Sequence, residues 1–124
     1  MTRPVPSLLV VDDDDDIRES FAEALTDEGY DVITATDGRN ALDVLAQERQ
    51  PHVILLDLMM PRMDGSTFRA RQLLDARIAS IPVIVMSAAA DAAEQARRMQ
   101  CAYLKKPVTI DSLVSAVESS PAPR

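Results

Sequence analysis

Four short apolar runs of this sequence each end on polar side chains that could do chemistry. In chain order, those side chains are Asp12 with Asp13, Asp57, Ser87 and Lys106. If the runs are parallel strands of one sheet, their carboxyl ends place carboxylates, a hydroxyl and an ammonium along one edge. Carboxylate oxygens suit a hard divalent cation, and an ammonium neutralises phosphate oxygens. The pattern therefore predicts a site that holds a divalent cation and handles a phosphoryl group.

The three carboxylates have a specific consequence for the cofactor. Asp12, Asp13 and Asp57 would repel one another, and without compensation the repulsion would raise the pKa of some of them. Mg²⁺ relieves this repulsion, because it takes oxygen ligands at about 2.0–2.1 Å, commonly one or two carboxylates with water and phosphate. A carboxylate nucleophile, a cation, a hydroxyl and an ammonium are the groups required for in-line phosphoryl transfer to an aspartate.

The elements that must position these groups follow from the apolar pattern. Strand-length apolar runs alternate with longer segments of helical period, which predicts repeated βα units. Five strands and five helices are predicted, and right-handed crossovers would place helices on both faces of the sheet. In the doubly wound order 2-1-3-4-5, strands 1 and 3 are neighbours at the point where ligands bind. The predicted fold class is therefore α/β, a flavodoxin-like, doubly wound parallel sheet.

The sequence also predicts bounds for most elements. The predicted strands cover 8–11, 30–35, 53–57, 82–86 and 103–105. Gly29 ends the first helix, Pro51 follows the second, and the third and fourth cover 66–77 and 91–99. Thr109 is predicted to cap the last helix. We expect one domain at 7–119, an N-terminal tail at 1–6 and a disordered C-terminal tail at 120–124.

Composition narrows the class of function. The 124 residues are 47% apolar, which is enough for one domain with a core. The sequence has no run approaching about 18 apolar residues and no charged-then-apolar leader, so we expect neither a membrane span nor secretion. A single cysteine suits a reducing compartment, and we expect a cytoplasmic protein. A formal charge of −7 argues against direct nucleic-acid binding.

Five short motifs give the chain a resemblance to a known family. It resembles the receiver domain of two-component response regulators, in the chemotaxis-regulator-like superfamily. The resemblance covers essentially the whole chain. The motifs are Val10-Val11-Asp12-Asp13, Leu56-Asp57-Leu58-Met59-Met60-Pro61, Met63-Asp64-Gly65, Met86-Ser87-Ala88 and Tyr103-Leu104-Lys105-Lys106-Pro107.

The resemblance implies a function and a role for each site residue. The chain would be a signalling module rather than an enzyme, phosphorylated on Asp57 by a histidine kinase or a histidine phosphotransfer protein. Ser87 and Lys106 would contact the phosphoryl oxygens. Tyr103 would be the switch aromatic that turns inward when Ser87 moves toward the phosphate. In this family the peptide bond before Pro107 is often cis.

The resemblance also implies how the metal would be held. Mg²⁺ would be ligated directly by Asp13, by Asp57 and by the backbone carbonyl of Met59. Asp12 would act on it largely through water. The later aspartates of the run, 14–16, are interpreted as a solvated segment whose charge favours the start of the following helix.

The chain departs from the family pattern near its expected output surface. The stretch from Ser87 to Lys106 is a few residues shorter than usual, so the fourth helix or the loop before it is trimmed. Cys101-Ala102 stands where Gly-Ala is common, and Val108 where Phe is common. We therefore expect this surface to bind a specialised downstream partner or a second copy of the chain. We expect no interaction with membranes.

Two alternatives remain open from the sequence. The chain could be the receiver portion of a larger regulator that carries an output domain. It could also be a Mg²⁺-dependent phosphatase of the haloacid-dehalogenase type, since Asp12 to Asp14 contain that family's Asp-x-Asp pattern. The second alternative is weaker, because only the isolated Asp111 and Glu118 follow the lysine where an acidic pair is needed. It also leaves Asp57 unexplained.

Overall fold

Ten elements alternate along the chain in a computed structural model that describes residues 5–47 and 50–120. Strands and helices follow one another strictly, as predicted. The elements are β1 (Ser7–Val11), α1 (Asp15–Asp27), β2 (Asp31–Ala35), α2 (Gly38–Gln47), β3 (Val53–Asp57), α3 (Gly65–Leu73), β4 (Val83–Ser87), α4 (Ala92–Arg98), β5 (Ala102–Lys105) and α5 (Ile110–Ser119).

The five strands form one parallel sheet in the order β2-β1-β3-β4-β5. This order confirms the predicted doubly wound fold. It makes β1 and β3 neighbours, and the chain leaves them in opposite directions across the sheet, as at a ligand-binding switch point. The carboxyl ends of β1, β3, β4 and β5 therefore share one edge.

Two apolar cores cover the two faces of the sheet. All residues of β1, β3 and β4 are buried, and successive side chains of each strand point to opposite faces. On one face the strands pack with Phe68 of α3 and with apolar residues of α2 and α4. On the other they pack with Leu25 of α1 and Leu113 of α5. This double coverage explains why the central strands read as continuous apolar runs.

Side chains at the starts of α1, α3 and α5 satisfy backbone donors that have no partner within the helix. Asp14 accepts a hydrogen bond from the Ile17 amide at 3.1 Å at the start of α1. At the start of α3, Asp64 accepts a hydrogen bond from the Thr67 amide at 2.9 Å. Thr109 accepts from the Ser112 amide at 3.1 Å, which confirms its predicted capping of α5.

The predicted third helix, 66–77, was too long at its C-terminal end. The helix ends at Leu73, and residues 74–82 form a loop. The cause is the fully buried side chain of Gln72, whose amide donates to the carbonyls of Ile78 and Ile81 at 2.9 and 3.0 Å. Those bonds turn the chain back onto the sheet. The bounds predicted for the five strands and the fourth helix differ from the structure by at most one residue at each end.

The predicted tails, 1–6 and 120–124, fall largely on residues outside the described ranges and stay predictions. Among the helices in the described part of the chain, none is long and apolar enough to cross a bilayer.

Candidate phosphoryl-acceptor site

Strand register brings the predicted site residues to one edge of the sheet. Val11 pairs with Leu56, so Asp12 follows β1 where Asp57 ends β3. On the other side of β3, Asp57 pairs with Met86, which places Ser87 at the next strand end. Lys106 follows β5, and its backbone amide donates to the Ser87 carbonyl at 3.0 Å. The four strand ends therefore converge as the sequence predicted.

Three carboxylates form the centre of the site. Asp12, Asp13 and Asp57 each offer an oxygen, and these oxygens all lie within 4.8 Å of one another. Asp12 is fully buried and Asp57 is 6% exposed, whereas Asp13 is open to solvent. The cluster is therefore anchored in the protein on one side and accessible from the other.

Lys106 supplies the positive charge predicted for the site. Its Nζ lies 3.4 Å from Oδ2 of Asp12 and 3.4 Å from Oδ1 of Asp57, and its side chain is largely buried. The peptide bond to Pro107 is cis, as the family resemblance implied. One ammonium against three carboxylates leaves a formal excess of two negative charges.

Asp57 is a weaker acid than an ordinary aspartate, mainly because it is buried. Burial raises the pKa of Asp57 from 3.8 to about 6, because desolvation disfavours the carboxylate. The Lys106 ammonium acts to lower it, and the Asp12 carboxylate acts to raise it. Asp57 is thus largely ionised at neutral pH, but its charge is poorly compensated by the protein alone.

The donor set fits a hard divalent cation. Clustered carboxylate oxygens, one side open to water and two uncompensated negative charges are what Mg²⁺ requires. The loop after β3 lies against the cluster, since the backbone amide of Met59 donates to the Asp57 carboxylate. The described residues therefore bring Asp12, Asp13 and Asp57 together as predicted, with the backbone of Met59 beside them.

Ser87 connects the site to Tyr103. The Ser87 hydroxyl oxygen accepts from the Ala89 amide at 3.1 Å, which leaves its proton free to be donated. The Tyr103 hydroxyl donates to the Ser87 backbone carbonyl at 3.2 Å. Tyr103 is half-buried and thus already oriented toward the strand end that carries the serine.

The remaining aspartates of the run serve the start of α1. Asp14 caps the helix, and exposed Asp15 pairs with Arg18 at 2.6 Å. Arg18 was not identified from the sequence, yet its guanidinium donates to the backbone carbonyl of Asp12 at 2.9 Å. The same side chain therefore fixes the backbone that carries one site carboxylate. A basic residue one helical turn after the aspartates was the only sequence signal for this contact.

Known proteins share this arrangement of fold and sequence. The family model described as the response regulator receiver domain matches residues 8–118. A response regulator, MprA of Mycolicibacterium vanbaalenii, is 37% identical over 115 residues, which cover 90% of this chain and 48% of the relative. The chain thus spans about half the length of the curated relatives that it matches.

Solved structures agree with this match. The chemotaxis protein CheY4 of Vibrio cholerae superposes with a TM-score of 0.84 at 27% identity, covering 93% of this chain and 98% of that one. The receiver domain of the Francisella response regulator 1452 gives a TM-score of 0.80 at 32% identity. The match covers 91% of this chain and 93% of that one.

Proposed function

The chain belongs to the response regulator receiver domain family, and on that premise we propose that Asp57 accepts a phosphoryl group in a Mg²⁺-dependent reaction. The phosphoryl donor is a histidine kinase or a histidine phosphotransfer protein, and the transfer takes place in the cytoplasm. The observation that carries the proposal is the position of Asp57 at the end of β3. There one of its oxygens lies within 4.8 Å of oxygens of Asp12 and Asp13, and Oδ1 lies 3.4 Å from the Lys106 ammonium.

Three residues would hold the cation: Asp13 and Asp57 through their carboxylates, and Met59 through its backbone carbonyl. Asp12 would contact it through water. When bound, Mg²⁺ supplies positive charge that neutralises both the carboxylate cluster and the incoming phosphoryl oxygens. The two uncompensated negative charges of the cluster support this assignment.

The residues of the chain divide the transfer between them. An oxygen of Asp57 forms the new bond to phosphorus while the bond from phosphorus to the donor histidine nitrogen breaks in line with it. The pKa of about 6 leaves this oxygen ionised at neutral pH, so that it can act as the nucleophile. Lys106 then pairs with a phosphoryl oxygen, and the free proton of Ser87 is donated to another.

Phosphorylation would change a protein-interaction surface. Drawing Ser87 toward the phosphoryl group moves the backbone carbonyl to which Tyr103 donates, so β5 and its flanking helices are coupled to the site. The recipient of this change is a downstream protein, a second copy of the chain, or an output domain of a longer regulator. The half-length coverage of the MprA relative supports the last arrangement. The dehalogenase-type alternative has no support from the matched family.

Treatment with a small acyl phosphate tests both the reaction and the metal. We expect the intact mass to increase by one phosphate when Mg²⁺ is present and not when it is chelated.

In a Mg²⁺ titration, Asp13→Asn should weaken binding of the cation about tenfold or more, because it removes a charged ligand. Asp15→Asn is the matched control, since Asp15 pairs with Arg18 outside the cluster. Equal effects of the two variants would mean that the aspartate run binds cations diffusely.

Ser87→Ala tests the coupling to the output surface. We expect the variant to bind Mg²⁺ normally but to lose the phosphorylation-dependent NMR shifts of β5, because its side chain has no hydroxyl to draw inward. Tyr103 should then stay in its unphosphorylated environment. A variant whose β5 signals shift as fully as those of the parent would show that the coupling follows another route.

A further inference from the structure

The loop between β3 and α3, residues 58–64, contains an unusual turn. The Met63 amide donates to the Pro61 carbonyl at 2.6 Å, which closes a three-residue γ-turn around Arg62. Arg62 has a φ of 62°, in the left-handed region that side chains other than glycine rarely adopt. A γ-turn with positive φ is rare and strained, so contacts elsewhere must hold it.

An ion pair to α2 holds this turn. The Nε of Arg62 donates to Oδ2 of Asp37 at 2.8 Å, and a terminal guanidinium nitrogen pairs with the same oxygen. Asp37 is 1% exposed, and its other oxygen accepts from the Asn40 amide at 2.8 Å at the start of α2. The carboxylate is therefore a rigid anchor, whereas most of the arginine side chain lies in solvent.

A second contact lies beside the ion pair. The Gly38 amide donates to the Met63 carbonyl at 3.2 Å. A Cβ at position 38 would lie only 2.7 Å from that carbonyl oxygen, so glycine permits the close approach. The turn is thus attached to the first residues of α2 at two adjacent points, which are the Arg62 side chain and the Met63 backbone.

The first half of the loop is anchored at Leu58, which is 2% exposed and whose amide donates to the Met86 carbonyl at 3.3 Å. Met59 follows Asp57 by two residues and donates its amide to that carboxylate, yet the residue is 67% exposed. The Gly65 amide, at the start of α3, donates to the Leu58 carbonyl at 3.0 Å, so the two ends of the loop meet at Leu58. Met59 therefore lies between the anchored Leu58 and the turn at Arg62, so the way the turn is held affects the path of the Met59 backbone.

We propose that the Asp37–Arg62 ion pair is a positioning element that sets the backbone of the β3–α3 loop for cation binding beside Asp57. The proposal rests on the proposed function, since it concerns the Met59 carbonyl as a ligand. It assigns a role in the reaction to two residues that do not touch the reacting atoms.

The sign of the charge effect separates positioning from simple electrostatics. Arg62→Ala removes a positive charge, so electrostatics alone would tighten Mg²⁺ binding slightly, whereas positioning predicts that binding weakens. We expect a loss of about tenfold, in the range for residues that orient metal ligands. Asp37→Asn keeps an oxygen for the helix cap but loses the charge, and we expect a similar loss. Because both changes break one contact, the double variant should be no weaker than either single variant.

The experiment is a Mg²⁺ titration by calorimetry on the parent, the two single variants and the double variant. Arg77→Ala is the matched control, because it breaks another arginine–aspartate pair, to Asp75, outside the site. Hydrogen exchange of the Gly38 amide in metal-free protein gives an independent readout, since loosening of the turn should speed it in Arg62→Ala and not in Arg77→Ala.

Two failures can be told apart. A parent that binds no Mg²⁺ and takes no phosphate would overturn the proposed function itself. A parent that does both, with Arg62→Ala binding Mg²⁺ as tightly as the parent or more tightly, would overturn only the positioning role. Unchanged Gly38 exchange in that variant would overturn it as well.

Discussion

Asp57→Asn is expected to abolish phosphoryl incorporation. The amide that replaces the carboxylate has no negatively charged oxygen to act as a nucleophile. The neighbouring Asp12 is fully buried and accepts a hydrogen bond from the Asp14 amide at 2.9 Å, so it is not placed to substitute for Asp57. The intact mass after treatment with an acyl phosphate and Mg²⁺ should therefore stay that of the unmodified chain. The asparagine is nearly isosteric, so the fold should be kept, which a circular dichroism spectrum can check.

Asp12→Asn is the informative companion variant. It removes a carboxylate from the same cluster, so it should slow phosphorylation through weaker cation binding without preventing it. Phosphate that persists in Asp57→Asn and disappears in Asp12→Asn would contradict the assignment. That result would favour the dehalogenase-type chemistry, in which the first aspartate is the nucleophile.

The fold was predictable because its strongest signals are local. Strands buried on both faces read as unbroken apolar runs, and glycine, proline and threonine mark where helices stop and start. The end of α3 was not predictable, since it depends on Gln72. A glutamine within a helical segment normally indicates a solvent-facing position, and only the tertiary structure shows that its amide binds two loop carbonyls.

The contacts of the fourth helix were likewise not predictable from the sequence. The short stretch between Ser87 and Lys106 predicted that the fourth helix or the loop before it is trimmed, and α4 has seven residues. What the sequence did not indicate is that buried Arg69 supports its end, with Nε donating to the Met99 carbonyl at 3.0 Å. Arg69 also donates to Gln72 at 2.8 Å, so one polar pair joins α3 to the end of α4.

The site was predictable where its residues stand at strand ends and not where they reach across loops. Asp57 and Lys106 follow apolar runs, and parallel strands bring such positions together. The partnership of Asp37 with Arg62 joins two loops, and no spacing rule connects them. Another contact of this kind is made by His52, whose Nδ1 accepts from the Ser7 amide at 2.9 Å and holds the start of β1 beside β3.

The ionisation of Asp57 should make the metal-free chain less stable as pH rises. Its pKa is raised from 3.8 to about 6 in the folded state, mainly by burial. The folded state therefore binds the proton more tightly than the unfolded state, so ionisation costs stability. The cost is absent below about pH 4, grows between pH 4 and 6 and is complete above pH 6, where a shift of this size corresponds to about 2–3 kcal/mol.

Asp57→Asn removes this titration, so we expect it to be more stable than the parent at pH 7 by about 2–3 kcal/mol without Mg²⁺. At pH 4 the two proteins should unfold at nearly the same urea concentration. Asp43→Asn, on the exposed side of α2, is the matched control for the loss of one carboxylate. Saturating Mg²⁺ should reduce the difference at pH 7, because the cation stabilises the ionised parent. A parent as stable as Asp57→Asn at pH 7 would mean that Lys106 fully compensates the buried charge, and the site would then have no electrostatic need for a cation.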